Sequence, residues 1–200
     1  GKSIKFLGVV KADAYGHGAV EISKKLQAVG ADYLAVSSID EAMELRFNGI
    51  TMPILILGHT PKEQVNRLIC FNITQAVSCE AKAEEYSEEA VRCGKTLKIH
   101  IKVDTGMSRL GYLCDGDYFK HGIDGIVHSM SLAGLETEGI FTHFAVADEV
   151  GEEARTYTEN QFSLFKKVIA QIEEQTGKKI KIRHCARRVG YISRLRRLSS

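Results

Sequence analysis

The chain has 200 residues, of which 44% are hydrophobic and 26% charged, and its formal net charge is +2. This is an ordinary globular composition, and the length allows one domain with a substantial core. It excludes a chain built on membrane-spanning helices, because no apolar run approaches the roughly 20 residues that such a helix needs.

The start, GKSIKFLGVVKADAYG, has neither the long apolar core nor the small-residue cleavage site of a signal peptide. It has no initiator Met and begins almost on a strand, so it reads as a cut from something longer. KFLGVVKA is a predicted strand. AVEISKKLQAVGA follows as a helix with apolar residues at Val20, Ile22, Leu26 and Val29. YLAVSS is the second strand. The helix IDEAMELRFNGI carries Asp40 and Glu41 in its first turn, where acids suit the positive end of the dipole. PILILGH is the third strand, and PKEQVNRLICFN opens a helix near Pro61. ITQAVSC is the fourth, followed by the helix EAKAEEYSEEAVRCGK, which stops near Gly94. LKIHIKVDTG, from Leu97 to Gly106, is the fifth. Between Tyr112 and Ala133 the pattern is weaker, with a helix expected over GIVHSMSLAG. A sixth strand is expected around Gly139–Phe144. ARTYTENQFSLFKKVIAQIEEQTG is the longest helical pattern, with Phe162, Phe165, Ile169 and Ile172 on one face. KIKIRHCA is the seventh strand.

Strands that alternate with helices imply parallel pairing and right-handed crossovers. Units recurring at about 25-residue spacing favour a (β/α)8 TIM-type barrel over a doubly wound sheet. No GxGxxG follows the first strand, which argues against a dinucleotide-binding sheet. Seven strands are found, so the barrel is incomplete over residues 1–186. The position of an eighth falls in the tail.

That tail, 187–200, reads RRVGYISRLRRLSS and holds five of the 11 arginines but no acid. Without it the charge is 22 − 25 = −3, so the body offers no nucleic-acid surface. All 16 lysines lie at or before Lys181. A change of coding frame near Ala186 explains such a tail; a genuine basic tail that binds nucleic acid or acidic lipid is the rival reading. The five cysteines contain no CxxC pair and the seven histidines no HxxxH pair. A reducing cytoplasm is therefore expected, and neither disulfides nor a metal site.

In a parallel barrel, chemistry sits at the C-terminal ends of the strands. Lys11, His59, Lys102 with Asp104 and Arg109, His143 and His184 all fall there. Lys11 directly follows FLGVV. A desolvated lysine at such a place can attack carbonyls, although position alone favours a lysine capping a strand at the surface. Tyr15 and the glycines beside it suit a phosphate.

VVKADAYGHG resembles the cofactor-lysine signature of the alanine racemase family, pyridoxal-phosphate enzymes of fold type III. AVSSIDEAMELRFNGI, PILILGH, IKVDTGMSRLG, THFAVAD and RHCA resemble further signatures of that family in the same order. The resemblance covers Lys5 to about Ala186. It implies interconversion of L- and D-alanine, supplying D-alanine for peptidoglycan, with pyridoxal 5'-phosphate as cofactor, in a cytoplasmic homodimer without a membrane segment. Lys11 would carry the internal aldimine and act as one of two bases, and Tyr15 would bond the cofactor phosphate. Arg109 would contact the phenolic oxygen, His143 would lie near the pyridine ring, and Lys102 is the candidate for carbamylation. Racemases for serine and a non-catalytic pyridoxal-phosphate binder share the barrel and stand as alternatives.

The pattern breaks after Ala186. The family has a serine and an asparagine there, where this chain has Arg187 and Arg188. The family also continues into an eighth strand and a β-rich domain that supplies a tyrosine as the second base. Tyr191 sits in no matching context. The expectation is therefore a truncated form, inactive by itself.

Overall fold

The structure, a computed structural model, describes residues 4–186. Arg187, Arg188, Tyr191 and the expected place of an eighth strand lie outside the described residues. The strands are β1 (Leu7–Val9), β2 (Tyr33–Val36), β3 (Ile54–Ile56), β4 (Ile73–Val77), β5 (Leu97–Asp104), β6 (Tyr112–Leu113), β7 (Leu135–His143) and β8 (Ile182–Ala186). The helices are α1 (Lys11–Gly16), α2 (Ala19–Ala28), α3 (Ile39–Phe47), α4 (Val65–Cys70), α5 (Glu80–Arg92), α6 (Phe119–Ser131) and α7 (Glu152–Thr176). The strand order is β1-β2-β3-β4-β5-β7-β8, with β6 added beside β5. Every pairing with a defined register is parallel, from Leu7 opposite Tyr33 to His143 opposite Ala186. The seven-strand alternation read from the sequence is thus the observed one, and β6 is an addition.

The chain packs as two compact units. The first holds the described residues up to Val77, then Ala81–His100 and Ser131–Thr137. Its core holds β2 and β3, in which every residue is buried, together with the buried Ala42 and Leu45 of α3 and Leu68 of α4. Such unbroken apolar runs are what a parallel strand needs when both its faces are covered. Arg46 ties the loops of this unit together. Its guanidinium donates to the carbonyls of Ile50, Met52, Phe71 and Asn72 at 2.8–3.0 Å.

The second unit holds Ser78–Glu80, Ile101–Met130 and the described residues from Glu138. Ile101 and Val103 of β5 and Ile140 and Phe141 of β7 are buried in it. So are Ile123 and Ile126 of α6 and Phe165, Val168, Ile169 and Ile172 of α7.

Three local expectations are corrected. Helix α2 buries Ala19 and Ser23, while Ile22 and Val29 face solvent. Leu26 instead occupies the space beside Gly8 of β1, where an added Cβ would stand 2.5 Å from its Cδ1. The weak stretch after Tyr112 resolves into β6, a short 3-10 turn at Gly116–Tyr118 and α6, which begins at Phe119. On α7, Phe162 is only half-buried, and the inner stripe continues through Gln161 instead.

Candidate active site

In the first unit, Val10 is buried and its N–H donates to the Ala35 carbonyl at 2.8 Å. This carries the pairing of β1 with β2 up to the residue before Lys11. The chain then turns in an unusual way. Ala12, Asp13, Ala14 and Tyr15 all have φ between 51° and 56°, so most of α1 is left-handed. Each such non-glycine residue costs roughly 1–2 kcal/mol. The turn persists because its surroundings hold it. Glu41 Oε1 accepts from Ala12 N at 2.8 Å, and Asp13 Oδ1 accepts from Ala19 N at 2.6 Å, at the start of α2. Gly16 and Gly18, at φ +84° and +86°, supply the positive angles on its far side.

The result fixes Lys11 at the end of β1, half-buried, with its amine in no hydrogen bond or ion pair among the described residues. Tyr15 lies on the same turn, 62% exposed, and its hydroxyl is also without a protein partner among the described residues. Glu41 reaches further. It accepts from Ser37 N at 2.6 Å and from Ser37 Oγ at 2.9 Å, and so ties the end of β2 to the Lys11 turn. Burial pushes its carboxyl up, but hydrogen bonds from Ser37, Ala12 and Ser38 outweigh that and hold it below the ordinary carboxylate range. His59 is exposed and belongs to a different group: its Nδ1 lies 3.2 Å from Tyr86 Oη, which donates to Thr60 O at 2.8 Å.

In the second unit, the end of β5 brings Lys102, Asp104 and Arg109 together. Asp104 is an organiser. Its Oδ1 accepts from Gly106 N at 2.9 Å and Ser108 N at 3.0 Å, and its Oδ2 from Arg109 N at 3.0 Å. The loop therefore wraps around one carboxylate and presents Arg109 at the surface, with no ion-pair partner among the described residues. Gly111 closes the wrap at φ +124°. A Cβ there would stand 2.8 Å from Asp104 N and 2.9 Å from Lys102 O. Only glycine lets the chain return against β5 to form β6.

Lys102 is 9% exposed; its Nζ donates to Val103 O at 3.0 Å and lies 5.6 Å from the centre of the Phe141 ring. Burial pushes its ammonium down to about 8, with Asp104 opposing the shift and Arg109 adding to it. His143 is half-buried at the end of β7. His184 of β8 stands opposite Phe141 with the rings stacked at 4.8 Å, so part of its environment is aromatic packing.

Lys11 and Tyr15 thus share a turn in the first unit, and Lys102, Arg109 and His143 stand at strand ends of the second. Sequence reading missed Glu41 and Asp13 as supports of the Lys11 turn. One signal was present, since Ser38-Ile39-Asp40-Glu41 has the S-x-x-E form of a capping box, and Ser38 Oγ does accept from Glu41 N at 3.3 Å. Among the described residues no cluster of His, Cys, Asp and Glu could hold a metal ion, and no helix is long and apolar enough to cross a membrane.

A family profile described as "Alanine racemase, N-terminal domain" matches residues 1–194. An alanine racemase of Clostridium tetani is 46% identical over 185 residues, which are 92% of this chain and 46% of that protein. The solved structure of the Clostridium difficile 630 alanine racemase in complex with cycloserine is 41% identical. It superposes with a TM-score of 0.83 over 93% of this chain and 49% of that one. A histidine racemase from Leuconostoc mesenteroides subsp. sake is 26% identical, with a TM-score of 0.76 over 91% of this chain and 46% of its own. The chain spans about half the length of the relatives it matches. The parallel strand order is that of the TIM-type barrel domain of these enzymes, and the chain belongs to the alanine racemase N-terminal domain family.

Proposed function

We propose that this chain is the cofactor-holding half of a pyridoxal-phosphate-dependent racemase that interconverts L- and D-alanine in the cytoplasm, supplying D-alanine for peptidoglycan. The observation that carries this reading is the Lys11 amine, held at a strand end by a strained turn and left without a protein partner among the described residues.

The donor set fits pyridoxal phosphate in kind. Lys11 offers a primary amine to its aldehyde. The Tyr15 hydroxyl, exposed and without a protein acceptor among the described residues, suits its phosphate. Arg109, exposed and not ion-paired among the described residues, suits its ring oxygen, and His143 would flank the ring. When bound, the cofactor supplies the electron sink that makes a Cα–H acidic enough for a side-chain base. Lys11 Nζ then takes the Cα proton, or returns it, on one face of the amino acid. Glu41 and Asp13 keep that nitrogen in place by fixing the turn. The neutral amine of Lys102 would add to carbon dioxide and release one proton to solvent, leaving a carbamate.

Racemisation needs a second base on the opposite face. The relatives are about twice as long as this chain, and the whole protein's homodimer and second base belong with that further length. The 200 residues alone are accordingly expected to bind cofactor without racemising alanine. Mixing the purified chain with pyridoxal phosphate should give an absorbance band that borohydride abolishes, leaving the reduced cofactor covalently attached to Lys11. Absence of a band in the natural chain, or an unchanged band in Lys11→Ala, would refute the cofactor reading.

A second reading keeps the cofactor and changes the amino acid, as the likeness to a histidine racemase suggests. Comparing alanine, serine and histidine as substrates of the whole protein separates the two.

A further inference from the structure

We propose that Tyr157 and Gln161, four residues apart on α7, are positioning residues that fasten the loop carrying Arg109 and the loop that follows His143. The functional meaning rests on the cofactor reading above. The fastening itself rests on hydrogen bonds within the second unit.

Tyr157 Oη donates to the Gly106 carbonyl at 2.6 Å. Gly106 is in the middle of the loop that wraps Asp104, three residues before Arg109. At φ +122°, a Cβ on Gly106 would stand 2.8 Å from Tyr157 Oη. The glycine therefore makes room for the phenol. One turn further along α7, Gln161 is 2% exposed. Its Oε1 accepts from Ala145 N at 2.9 Å, two residues after His143. Its Nε2 donates to Thr105 Oγ1 at 3.4 Å, immediately after Asp104. Thr105 Oγ1 in turn lies 2.9 Å from Thr142 Oγ1, which donates to Val103 O at 3.0 Å. One amide thus bridges the loop after β5 and the loop after β7.

Packing alone does not require this arrangement. The inner stripe of α7 runs through Phe165, Val168, Ile169 and Ile172, and an apolar side chain at 161 would extend it. Burying an amide is unfavourable unless both its ends are bonded. Here both ends are bonded, and both partners are loop residues beside candidate site groups. Tyr157 and Gln161 fall on one face because residues four apart on a helix are neighbours. The same face of one rigid element therefore sets two loops at once.

The test compares Tyr157→Phe and Gln161→Met with the natural 200-residue chain, using residue-resolved amide hydrogen exchange, chemical denaturation and titration with pyridoxal phosphate. Loss of a neutral hydrogen bond should speed local exchange about fivefold and weaken cofactor affinity by about the same factor. The faster amides should be Gly106, Ser108 and Arg109 in Tyr157→Phe, and Ala145 in Gln161→Met. Tyr157→Phe should lower the denaturation midpoint only slightly, by no more than that one hydrogen bond supplies, since Tyr157 is 42% exposed and its ring is kept. Unchanged loop exchange in Tyr157→Phe overturns the fastening. Faster exchange with natural cofactor affinity overturns the positioning role and leaves a structural one. Failure of the natural chain to take up pyridoxal phosphate is a different result: it sinks the cofactor reading, and with it the functional half of this proposal, while the exchange data still decide the fastening.

Discussion

A lysine amine is nucleophilic only when neutral, and the burial of Lys102 favours its neutral form. Its ammonium falls to about 8 from an ordinary 10.5 because it is buried. Above pH 10.5 the amine is neutral in both the folded and unfolded chain. Below about 8 it is charged in both, and the fold carries the full penalty of a buried cation, on the order of 3 kcal/mol. Stability should therefore rise as pH climbs from 8 toward 10.5. Cys114 acts in the opposite sense, since burial raises its thiol to about 12 from 9.0. Its contribution is complete below pH 9 and is lost as pH rises from 9 to 12. The clean interval is pH 8 to 9, where denaturant titration free of carbon dioxide should show a gain of about 1 kcal/mol. Lys102→Met should abolish the gain, and bicarbonate should reduce it by converting the amine to a carbamate. A gain that persists in Lys102→Met would contradict this account. Lys11, Lys102 and Arg109 could be singled out in the sequence because each sits at or just past a strand end inside a recognisable motif. Glu41 could not be assigned its role, because its partner Ala12 lies 29 residues away, and one helix-capping pattern does not disclose a bond to another loop.

Among the elements, those with long apolar runs were legible and those made by close approach were not. Strands β2 to β5 and the interior of α7 announce themselves through unbroken or periodic apolar residues. Helix α2 was misread at its inner face, where Ala19 and Ser23 are buried while Ile22 is exposed. Strand β6 is two residues long, too short for any period. Its existence depends on Gly111. Gly111→Ala would place a methyl group within 3 Å of three backbone atoms of β5 while φ stays at +124°. The expected loss is about 2–3 kcal/mol in urea denaturation. Faster exchange of the Cys114 amide, which donates to Asp104 O, should accompany it. A variant as stable as the natural chain would show that the return loop can shift without penalty.

At the scale of the whole molecule, the alternation of strand and helix was enough to give the parallel order, since only crossovers through helices connect parallel neighbours at this spacing. β1 and β8 stand at the ends of that order, each with one described neighbour. An open strand edge is a template for pairing with another chain. The 200-residue polypeptide by itself is expected to self-associate as its concentration rises, read as growing mass in light scattering. A constant monomer mass across the range would count against it. Nothing in the residue types of KADAY marks four successive left-handed residues. Only the glycines at 16 and 18 hint at positive angles nearby, so the handedness of α1 had to come from the structure.

That handedness has a consequence in stereochemistry. The conformation that Ala12 and Ala14 are held in is the mirror image of the one an L-residue prefers, and is therefore the natural helical conformation of a D-residue. A chain assembled chemically with D-alanine at position 12 should keep the turn and the Glu41 contact while relieving its strain. The site proposed to interconvert the two hands of alanine is built on a backbone in which L-alanine adopts the conformation suited to the other.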